Sequence, residues 1–446
     1  MSTASLLMAT RILVVGGGGR EHALAWKLAA EPGVNDVVVA PGSSAIGREP
    51  QVRCEPVDPL DPAAVVAVAR RASAELVVVG PEAPLAAGVA DALGEAGIAV
   101  FGPSQAAARI ESSKAFCHEV ATAAGVPMAR AGTFTELVPA LAFARGLTLT
   151  GDGVVIKTDG LAAGKGVTVC DDVAGAATAL ASALSTPGTS VIVEERLRGR
   201  EASLIALCDG RDALALPLAR DHKRLGDGDE GPNTGGMGAY SPLPDLPDEA
   251  IPGLVEAFHR PILAELARRG TPFRGALFAG LMLTDDGPVL LECNARFGDP
   301  ETQALLPRLA VALGPLLAAA SRGELAGAAR ALGLPDARLP VAPDPSVAIV
   351  LAAAGYPDRP RRGDAIDGLA AASATGALVF HAGTTTDEEG IVRTSGGRVL
   401  AVVGRGRDLA AAREQAERAA EAITWDGLQR RHDIAADAAM TIEVGP

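Results

Sequence analysis

The first hundred residues alternate short apolar runs with stretches in which apolar residues recur every three or four positions. The apolar runs are continuous and rich in valine, which is typical of strands buried on both faces. The predicted strands cover residues 11–15, 37–40, 76–79 and 98–101, and predicted helices at 63–72 and 85–96 lie between them. This alternation predicts a parallel, Rossmann-like α/β domain over residues 10–110.

A different pattern begins at Glu111. Ser113 and Lys114 open a predicted helix that ends near residue 124, and a second helix is predicted at 174–184. The predicted strands lie at 154–156, 167–169, 191–197, 202–207, 213–216, 279–283 and 289–293. Many strands with few helices between them indicate a largely antiparallel second domain over residues 111–335, with a subdomain at about 125–198.

The remaining chain contains one long irregular stretch and one small domain. Residues 220–247 are dense in glycine, proline and charge, and we expect a functional loop without regular structure there. Residues 324–345 are rich in alanine and proline and predict a boundary. Beyond it, strands at 347–351, 377–380 and 399–403 and a helix at 409–423 predict a small α+β domain, residues 336–446, with no chemistry of its own.

Composition limits the partners. The chain of 446 residues carries a net charge of −14, which argues against nucleic acid or an anionic membrane as the main partner. It has no apolar run of membrane-spanning length. Five dispersed cysteines without a CxxC pair indicate reduced thiols and a cytoplasmic location. Since no long apolar stripe requires a second copy, we expect a monomer that acts on small molecules.

A glycine-rich loop between the strands at 154–156 and 167–169 carries the clearest candidate chemistry. Lys157 ends the first strand and Lys165 lies in the loop, among Gly160, Gly164 and Gly166. Bare backbone N–H groups and ammonium groups suit a phosphate chain. The spacing differs from a Walker P-loop, and a strand follows the loop instead of a helix. We therefore expect a flap over a nucleotide; a solvated hairpin is the alternative.

A second candidate site lies where the strands of the first domain end. The carboxyl ends of parallel strands meet at one edge of the sheet and form a ligand crevice. The residues expected to line it are Gly18, Gly19, Arg20, Pro41, Gly42 and Glu82. Glu21 stands where G-x-G-x-x-G requires its third glycine, and the second strand ends without an acidic residue, so a sugar phosphate fits better than a nicotinamide dinucleotide.

The predicted strand 289–293 leads into a third candidate site. Glu292 and Asn294 are two residues apart, so both side chains lie on one face of the strand. A carboxylate and an amide oxygen on one face are hard ligands suited to Mg²⁺ that bridges phosphates. Arg296 follows on the same face and is a candidate to bind a carboxylate.

Seven segments taken together resemble the glycinamide ribonucleotide synthetases of the ATP-grasp superfamily, over nearly the whole chain. They are GGREHALAWKLA (18–29), VVGPEAPL (78–85), GLAAGKGV (160–167), DHKRLGDGDEGPNTGGMGAYSP (221–242), FAGLM (278–282), NARFGDPETQ (294–303) and FHAGT (380–384). The resemblance implies an N-terminal α/β domain, an ATP-grasp domain with a flap and a C-terminal α+β domain. It also implies ATP-dependent ligation of glycine to 5-phosphoribosylamine through glycyl phosphate, in purine biosynthesis.

The resemblance also implies a role for each candidate residue. ATP would contact Lys114, Lys157, Gly164, Lys165 and Gly166 through its phosphates, Glu194, Glu195 and Leu197 through adenine, and Glu201 through ribose. Glu292 and Asn294 would hold Mg²⁺ or Mn²⁺, and Arg296 would bind an oxygen of glycine or of the acyl phosphate. Asp221, the candidate for the glycine ammonium, and Lys223 would assist catalysis. The ribose phosphate would lie at Gly18, Gly19, Arg20 and Glu21, with Pro41, Gly42, Glu82 and Asp299 nearby.

Two departures from the family pattern and three alternatives accompany this interpretation. The first glycine turn is GGGG where the family commonly has an asparagine, and residues 280–282 (GLM) lack the further acidic metal ligand of many ATP-grasp enzymes. A related ATP-grasp ligase or transformylase would share the nucleotide site and use another acyl donor. A nicotinamide-dependent oxidoreductase would need the absent third glycine and ribose acid. A non-catalytic nucleotide-binding module would not need Glu292 and Asn294 together.

Overall fold

The computed structural model describes residues 9–161, 166–334 and 337–440 of the chain. Its strands are β1 (Arg11–Gly16), β2 (Asp36–Pro41), β3 (Val52–Cys54), β4 (Leu76–Val79), β5 (Val100–Phe101), β6 (Ala131–Phe134), β7 (Val154–Thr158), β8 (Val167–Cys170), β9 (Val191–Glu195), β10 (Arg200–Asp209), β11 (Ala213–Ala215), β12 (Arg220–Asp221), β13 (Arg224–Gly226), β14 (Glu230–Asn233), β15 (Gly238–Ser241), β16 (Arg274–Thr284), β17 (Gly287–Asn294), β18 (Ser346–Ala352), β19 (Leu378–His381), β20 (Thr384–Thr386), β21 (Val392–Thr394) and β22 (Arg398–Arg405).

The helices are α1 (Gly19–Ala29), α2 (Pro62–Arg71), α3 (Glu82–Ala86), α4 (Val89–Glu95), α5 (Gln105–Ser112), α6 (Lys114–Ala123), α7 (Leu137–Thr150), α8 (Val173–Ala183), α9 (Ile251–Leu254), α10 (Arg260–Arg268), α11 (Glu301–Leu305), α12 (Gly314–Arg322), α13 (Leu325–Ala331), α14 (Leu369–Ala374), α15 (Leu409–Ala422) and α16 (Ala436–Met440). A single π-helical turn joins α9 to α10. Among the helices of the described ranges, none combines the length and apolar character needed to cross a bilayer.

The first part of the chain forms the predicted parallel sheet. Its strand order is β3-β2-β1-β4-β5, and every neighbouring pair is parallel. The short edge strand β3 was not predicted. The single helix expected at 85–96 is wrong, because Gly88 adopts a φ of +86° and separates α3 from α4. A positive φ of this kind interrupts a right-handed helix and favours glycine.

The flap subdomain is built around its own small core. Strands β6, β9, β7 and β8 form an antiparallel sheet in that order, and β7 pairs with β8 with Lys157 opposite Val167. Helices α7 and α8 cover the sheet, and their buried residues form an apolar cluster separate from the two larger ones. The two predicted flap strands are therefore confirmed, and they are neighbours in one sheet that has its own apolar cluster.

The central antiparallel sheet, β11-β10-β16-β17, carries a bulge next to the predicted metal ligands. Glu292 pairs with Gly280 and Leu290 pairs with Leu281, so Leu291 is the extra residue in β17. A Cβ atom at Gly280 would lie 3.2 Å from Cγ of Glu292, which explains why glycine stands opposite this carboxylate. The bulge frees the carbonyl group of Leu291 from the strand ladder.

The last sheet joins two distant parts of the chain. Its order is β12-β15-β18-β22-β19, so strands from residues 220–241 pair with strands from the C-terminal part. The prediction that residues 220–247 lack regular structure is therefore wrong. Short segments rich in glycine and proline give little local strand signal, and β18 supplies the partner from more than a hundred residues away. The predicted boundary at 324–345 begins with a helix, α13.

Glu31 ties the N-terminal part to helix α12. Its buried carboxylate accepts hydrogen bonds from the backbone N–H groups of Leu313 (2.5 Å) and Gly314 (2.8 Å). Glu31→Gln removes the charge and one acceptor at a helix N-terminus, so we expect the free energy of unfolding to fall by about 1–3 kcal/mol. Chemical denaturation measures this loss. The exposed Glu324→Gln is the control, and equal stabilities of the two variants would contradict the assignment.

Candidate active site

A cavity of about 1240 Å³ lies where the parallel sheet, the flap, the central sheet and the C-terminal part meet. Arg20 and Glu82 reach it from the N-terminal part, and Lys157 reaches it from the flap. Glu292 lies on the central sheet, and Arg398 comes from the C-terminal strand β22. One continuous space therefore connects the predicted nucleotide flap with the predicted sugar-phosphate crevice.

Two lysines extend into the cavity beneath the flap. Lys114 is the first residue of α6, which Ser113 caps, and its Nζ donates to the carbonyl group of Gly160 at 2.7 Å. Lys157 Nζ is 2.7 Å from Oε2 of Glu194 and donates to the bulge carbonyl group of Leu291 at 2.9 Å. Burial lowers the pKa of Lys114, opposed by Glu292 and Asp159. One protein acceptor thus holds the ammonium of Lys114 at this space and two hold that of Lys157, and phosphate oxygens can replace acceptors of this kind.

The two carboxylates at the end of β9 lie in different environments. Glu194 is buried beside Lys157, whereas Glu195 accepts hydrogen bonds from the backbone N–H and Nε of Arg130, both at 2.8 Å. The pKa of Glu195 falls because these hydrogen bonds and the guanidinium outweigh its burial. Leu197 also lines the cavity. Both glutamates line the cavity; Glu194 pairs with Lys157, and Glu195 binds Arg130 at the end of the strand.

A lysine bridges the acidic groups on the opposite wall. Lys223 Nζ is 2.7 Å from Oε2 of Glu201 and 3.5 Å from Oε1 of Glu292. Burial opposes the charge of Lys223, but Glu201, Glu292 and Asp221 together raise its pKa. Lys223 in turn lowers the pKa of Glu292. Burial raises the pKa of Asp221 to about 8, opposed by Lys223. An approaching ammonium group would favour the ionised form of Asp221.

The predicted metal ligands fit a divalent ion that shares its shell with phosphates. Glu292 and Asn294 both line the cavity. The ammonium of Lys223 balances the negative charge of Glu292, as a bound metal ion would. Within residues 9–161, 166–334 and 337–440, no group of three His, Cys, Asp or Glu side chains is arranged for a metal. Two protein oxygens leave most of an octahedral shell to phosphates and water, as Mg²⁺ prefers.

Arg296 joins the N-terminal part to the central sheet. Its Nε is 3.2 Å from Glu82 and its Nη2 is 3.1 Å from Glu111, while Ala295 N donates to Glu111 at 2.7 Å. Burial alone would lower the pKa of Arg296, but Glu111 and Glu82 raise it. Burial raises the pKa of Glu111 despite the guanidinium. Arg296 therefore stays charged at the cavity wall, with its plane fixed by two carboxylates.

The predicted sugar-phosphate residues separate into two groups. Arg20, Glu82 and Asp299 line the cavity, whereas Gly18, Gly19, Glu21, Pro41 and Gly42 lie outside its lining. The carboxylate of Glu21 accepts from Gly18 N at 2.7 Å and pairs with Arg20 Nε at 2.6 Å. A carboxylate thus already caps α1, and Arg20 presents the positive charge at this edge.

Comparisons with known proteins give the family. Models of the phosphoribosylglycinamide synthetase family match three consecutive parts of the chain: the N domain at residues 10–111, the ATP-grasp (A) domain at 112–302 and the C domain at 346–437. The chain belongs to this family. The phosphoribosylamine–glycine ligase of Streptomyces coelicolor is 50% identical over 432 residues, 96% of this chain and 99% of the relative. That of Leifsonia xyli is 48% identical over 96% of this chain and 100% of the relative.

Solved structures agree with the phosphoribosylglycinamide synthetase fold. The phosphoribosylamine–glycine ligase of Thermotoga maritima superposes with a TM-score of 0.77 at 31% identity, covering 95% of this chain and 100% of that structure. The biotin carboxylase domain of Hydrogenobacter thermophilus 2-oxoglutarate carboxylase, solved with MgADP, has a TM-score of 0.67 at 16% identity, covering 95% and 92% of the two chains. The predicted family and three-part fold are confirmed.

The cavity collects most of the residues predicted from sequence. Those lining it are Lys114, Lys157, Gly166, Glu194, Glu195, Leu197, Glu201, Asp221, Lys223, Glu292, Asn294 and Arg296, besides Arg20, Glu82 and Asp299. Gly164 and Lys165 lie outside the described residues. Spatial convergence supports these assignments, and the role of each residue stays a prediction.

Several lining residues were missed. Glu111 precedes the α6 cap and holds Arg296, but a single glutamate in a helical stretch carries no local signal. Tyr356, Arg398 and Arg431 reach the cavity from the C-terminal part. Arg398 Nη2 lies 3.0 Å from Oδ2 of Asp299. The C-terminal part therefore contributes side chains to the cavity wall, which composition and periodicity could not predict.

Proposed function

We propose that this chain joins glycine to 5-phosphoribosylamine with hydrolysis of ATP to ADP and phosphate, giving glycinamide ribonucleotide for purine biosynthesis. The observation that carries the proposal is the continuous cavity, because it places the lysine-lined flap and the Arg20–Glu82 crevice around one reaction volume. A ligase with a phosphorylated intermediate needs both substrates beside one phosphate chain. Full-length identity to phosphoribosylamine–glycine ligases supports the choice of substrates.

The nucleotide takes the space beneath the flap. Lys114 and Lys157 neutralise its phosphates together with Gly164, Lys165 and Gly166, and Glu194, Glu195 and Leu197 contact the adenine. Glu201 receives the ribose hydroxyls. Glu292 and Asn294 would hold a divalent ion, Mg²⁺ or Mn²⁺, and that ion would supply positive charge that offsets the charge of the phosphates. Phosphoryl transfer mainly requires that the charge of the phosphates be neutralised, here by the two lysines and by the divalent ion.

The acyl donor binds between the nucleotide and the crevice. Asp221 holds the ammonium of glycine, and Arg296 orients its carboxylate or the resulting acyl phosphate. A carboxylate oxygen of glycine attacks the γ-phosphorus atom, and ADP leaves as glycyl phosphate forms. The amine of 5-phosphoribosylamine then attacks the carbonyl carbon, and phosphate leaves. Arg20, Glu82 and Asp299 position the ribose phosphate, with Gly18, Gly19, Glu21, Pro41 and Gly42 forming the turns behind them.

The chain works as a cytoplasmic monomer with three domains at 10–110, 111–335 and 336–446. The five free cysteines support a reducing compartment. Gel filtration with light scattering tests the monomer.

Substrate-dependent ADP release tests the proposed function. Mg²⁺-ATP is supplied with 5-phosphoribosylamine generated in the assay, with glycine present or omitted. Release that requires both substrates supports the ligase. Release that ignores glycine but responds to formate would keep ATP-grasp chemistry and overturn the acyl donor. Binding of ATP without turnover in the presence of any acid would favour a binding module.

A further inference from the structure

Arg431 is a buried arginine of the C-terminal part that contacts the active-site loop. Its side chain is 1% exposed, and Arg431 is among the residues that line the cavity. Its Nη1 is 2.6 Å from Oδ1 of Asp229 and donates to the carbonyl group of Arg224 at 3.3 Å. Its Nε and Nη2 bind the carboxylate of Asp433 at 2.7 and 2.5 Å. All three guanidinium nitrogens therefore take part in contacts that hold the segment of Arg431 against residues 224–229.

The neighbours of Arg431 hold the same hairpin, formed by β13 and β14. The carboxylate of Asp433 accepts a hydrogen bond from Gly228 N at 2.8 Å. The backbone N–H of His432 donates to Oδ1 of Asp227 at 2.7 Å. Three consecutive residues of the hairpin turn, Asp227 to Asp229, are thus fixed by three consecutive residues near the end of the chain. We call these contacts the C-terminal clamp.

The clamp acts next to Lys223. Arg224, whose carbonyl group Arg431 contacts, follows Lys223 directly in the chain. On the other side of the hairpin, Thr234 donates to the carbonyl group of Lys223 through its N–H at 2.7 Å and its hydroxyl at 2.9 Å. The backbone of Lys223 is therefore held from both ends of the hairpin. Its ammonium can then reach Glu201 and Glu292 together.

We propose that Arg431 is a positioning residue of the ligase. It fixes the hairpin so that Lys223 stays between Glu201, which is assigned to the ribose of ATP, and Glu292, which is assigned to the metal ion. The inference rests on the proposed function. The guanidinium of Arg431 binds Asp229, Asp433 and the carbonyl group of Arg224, the residue after Lys223, so we infer that it acts through Lys223. Misplacement of a catalytic group by about 1 Å can reduce turnover by about 10²-fold even when the change lies outside the chemistry.

The adjacent Arg430 provides a matched control. Its side chain is also largely buried, at 10% exposed, but it pairs with Glu417 on α15. Arg430 lies outside the cavity lining. Replacing either arginine removes one buried guanidinium from the same segment. Only the Arg431 substitution releases the hairpin.

The experiment compares Arg431→Met with Arg430→Met in the full chain. We expect kcat for glycine-dependent ADP release to fall by about 10²-fold in Arg431→Met and to stay near the wild-type value in Arg430→Met. The KM for 5-phosphoribosylamine should change little, because the groups that Arg431 binds are not among those proposed to contact this substrate. Millimolar guanidinium should restore part of kcat in Arg431→Gly and leave Arg430→Gly unchanged.

Asp227→Ala provides a second test of the C-terminal clamp. If Arg431→Met does not fold, Asp227→Ala serves instead, because this exposed residue is lost without leaving a buried charge; kcat should again fall with the melting temperature unchanged. Equal activities of the Arg431 and Arg430 variants, or a loss of melting temperature alone, would reduce the clamp to a structural brace and overturn the proposal. An inactive wild-type chain would instead indicate failure of the proposed function.

Discussion

Glu292→Gln is expected to lower the rate of glycine-dependent ADP release by at least about 10²-fold while ATP binding remains measurable. The substitution preserves shape and removes the charge that faces Lys223 and that we propose holds the divalent ion. Loss of the anion weakens the hold on the ion where charge develops during phosphoryl transfer. The lysines Lys114 and Lys157 remain to bind the phosphates, so the effect falls mainly on kcat.

The matched control for Glu292→Gln is Asp286→Asn in the turn of the same hairpin. Asp286 is exposed and lies away from the cavity lining. Steady-state kinetics at several Mg²⁺ concentrations, with ATP affinity measured by calorimetry, separates turnover from binding. Partial recovery at high Mg²⁺ is the expected signature of a weakened metal site. Unchanged kcat in Glu292→Gln would contradict its role as a metal ligand.

Arg296→Met is expected to reduce both stability and catalysis. It leaves Glu111 nearly buried, at 8% exposed, without its cation, a loss of about 3–5 kcal/mol in the free energy of unfolding. It also removes the guanidinium that we assign to the glycine carboxylate, so kcat/KM for glycine should fall by about 10²-fold or more. Arg296→Lys retains the charge but not the two-pronged contact with Glu82 and Glu111, and should recover only part of either loss.

The double variant Arg296→Met, Glu111→Gln separates the two effects. Neutralising Glu111 removes the unpaired buried charge, so stability should return toward that of the Glu111→Gln single variant, as a double-mutant cycle would show. Catalysis should remain low, because the glycine contact is still missing. Recovery of activity together with stability would mean that Arg296 serves only to join Glu82 with Glu111.

Short-range patterns predicted the active site best where spacing along one strand decides the outcome. Glu292 and Asn294 could be placed on one face because strand periodicity is two, and Lys157 could be placed at the flap because glycines follow it. The bulge at Leu291 was not predictable, since the extra residue is defined only by the register against β16. That bulge nevertheless supplies the carbonyl group that holds Lys157.

Contacts between distant parts of the chain were not predictable from local sequence. Arg431 lies 202 residues after Asp229 of the hairpin that it holds, and nothing near Arg431 in sequence indicates a cavity. The same applies to β15, whose strand partner β18 follows more than a hundred residues later. Glu21 shows a subtler limit, because the resemblance places this residue at the ribose phosphate and only the structure shows that its carboxylate caps α1.

The shared sheet affects how this protein can be divided. An excised segment starting at residue 346 would retain β18, β22 and β19 but lose β15, which would leave one side of β18 without its hydrogen-bonding partner. Unpaired strand edges recruit other chains and promote aggregation. Residues 220–241 and the C-terminal part must therefore be kept together when the chain is truncated or recombined with a relative, although the family models assign them to separate domains.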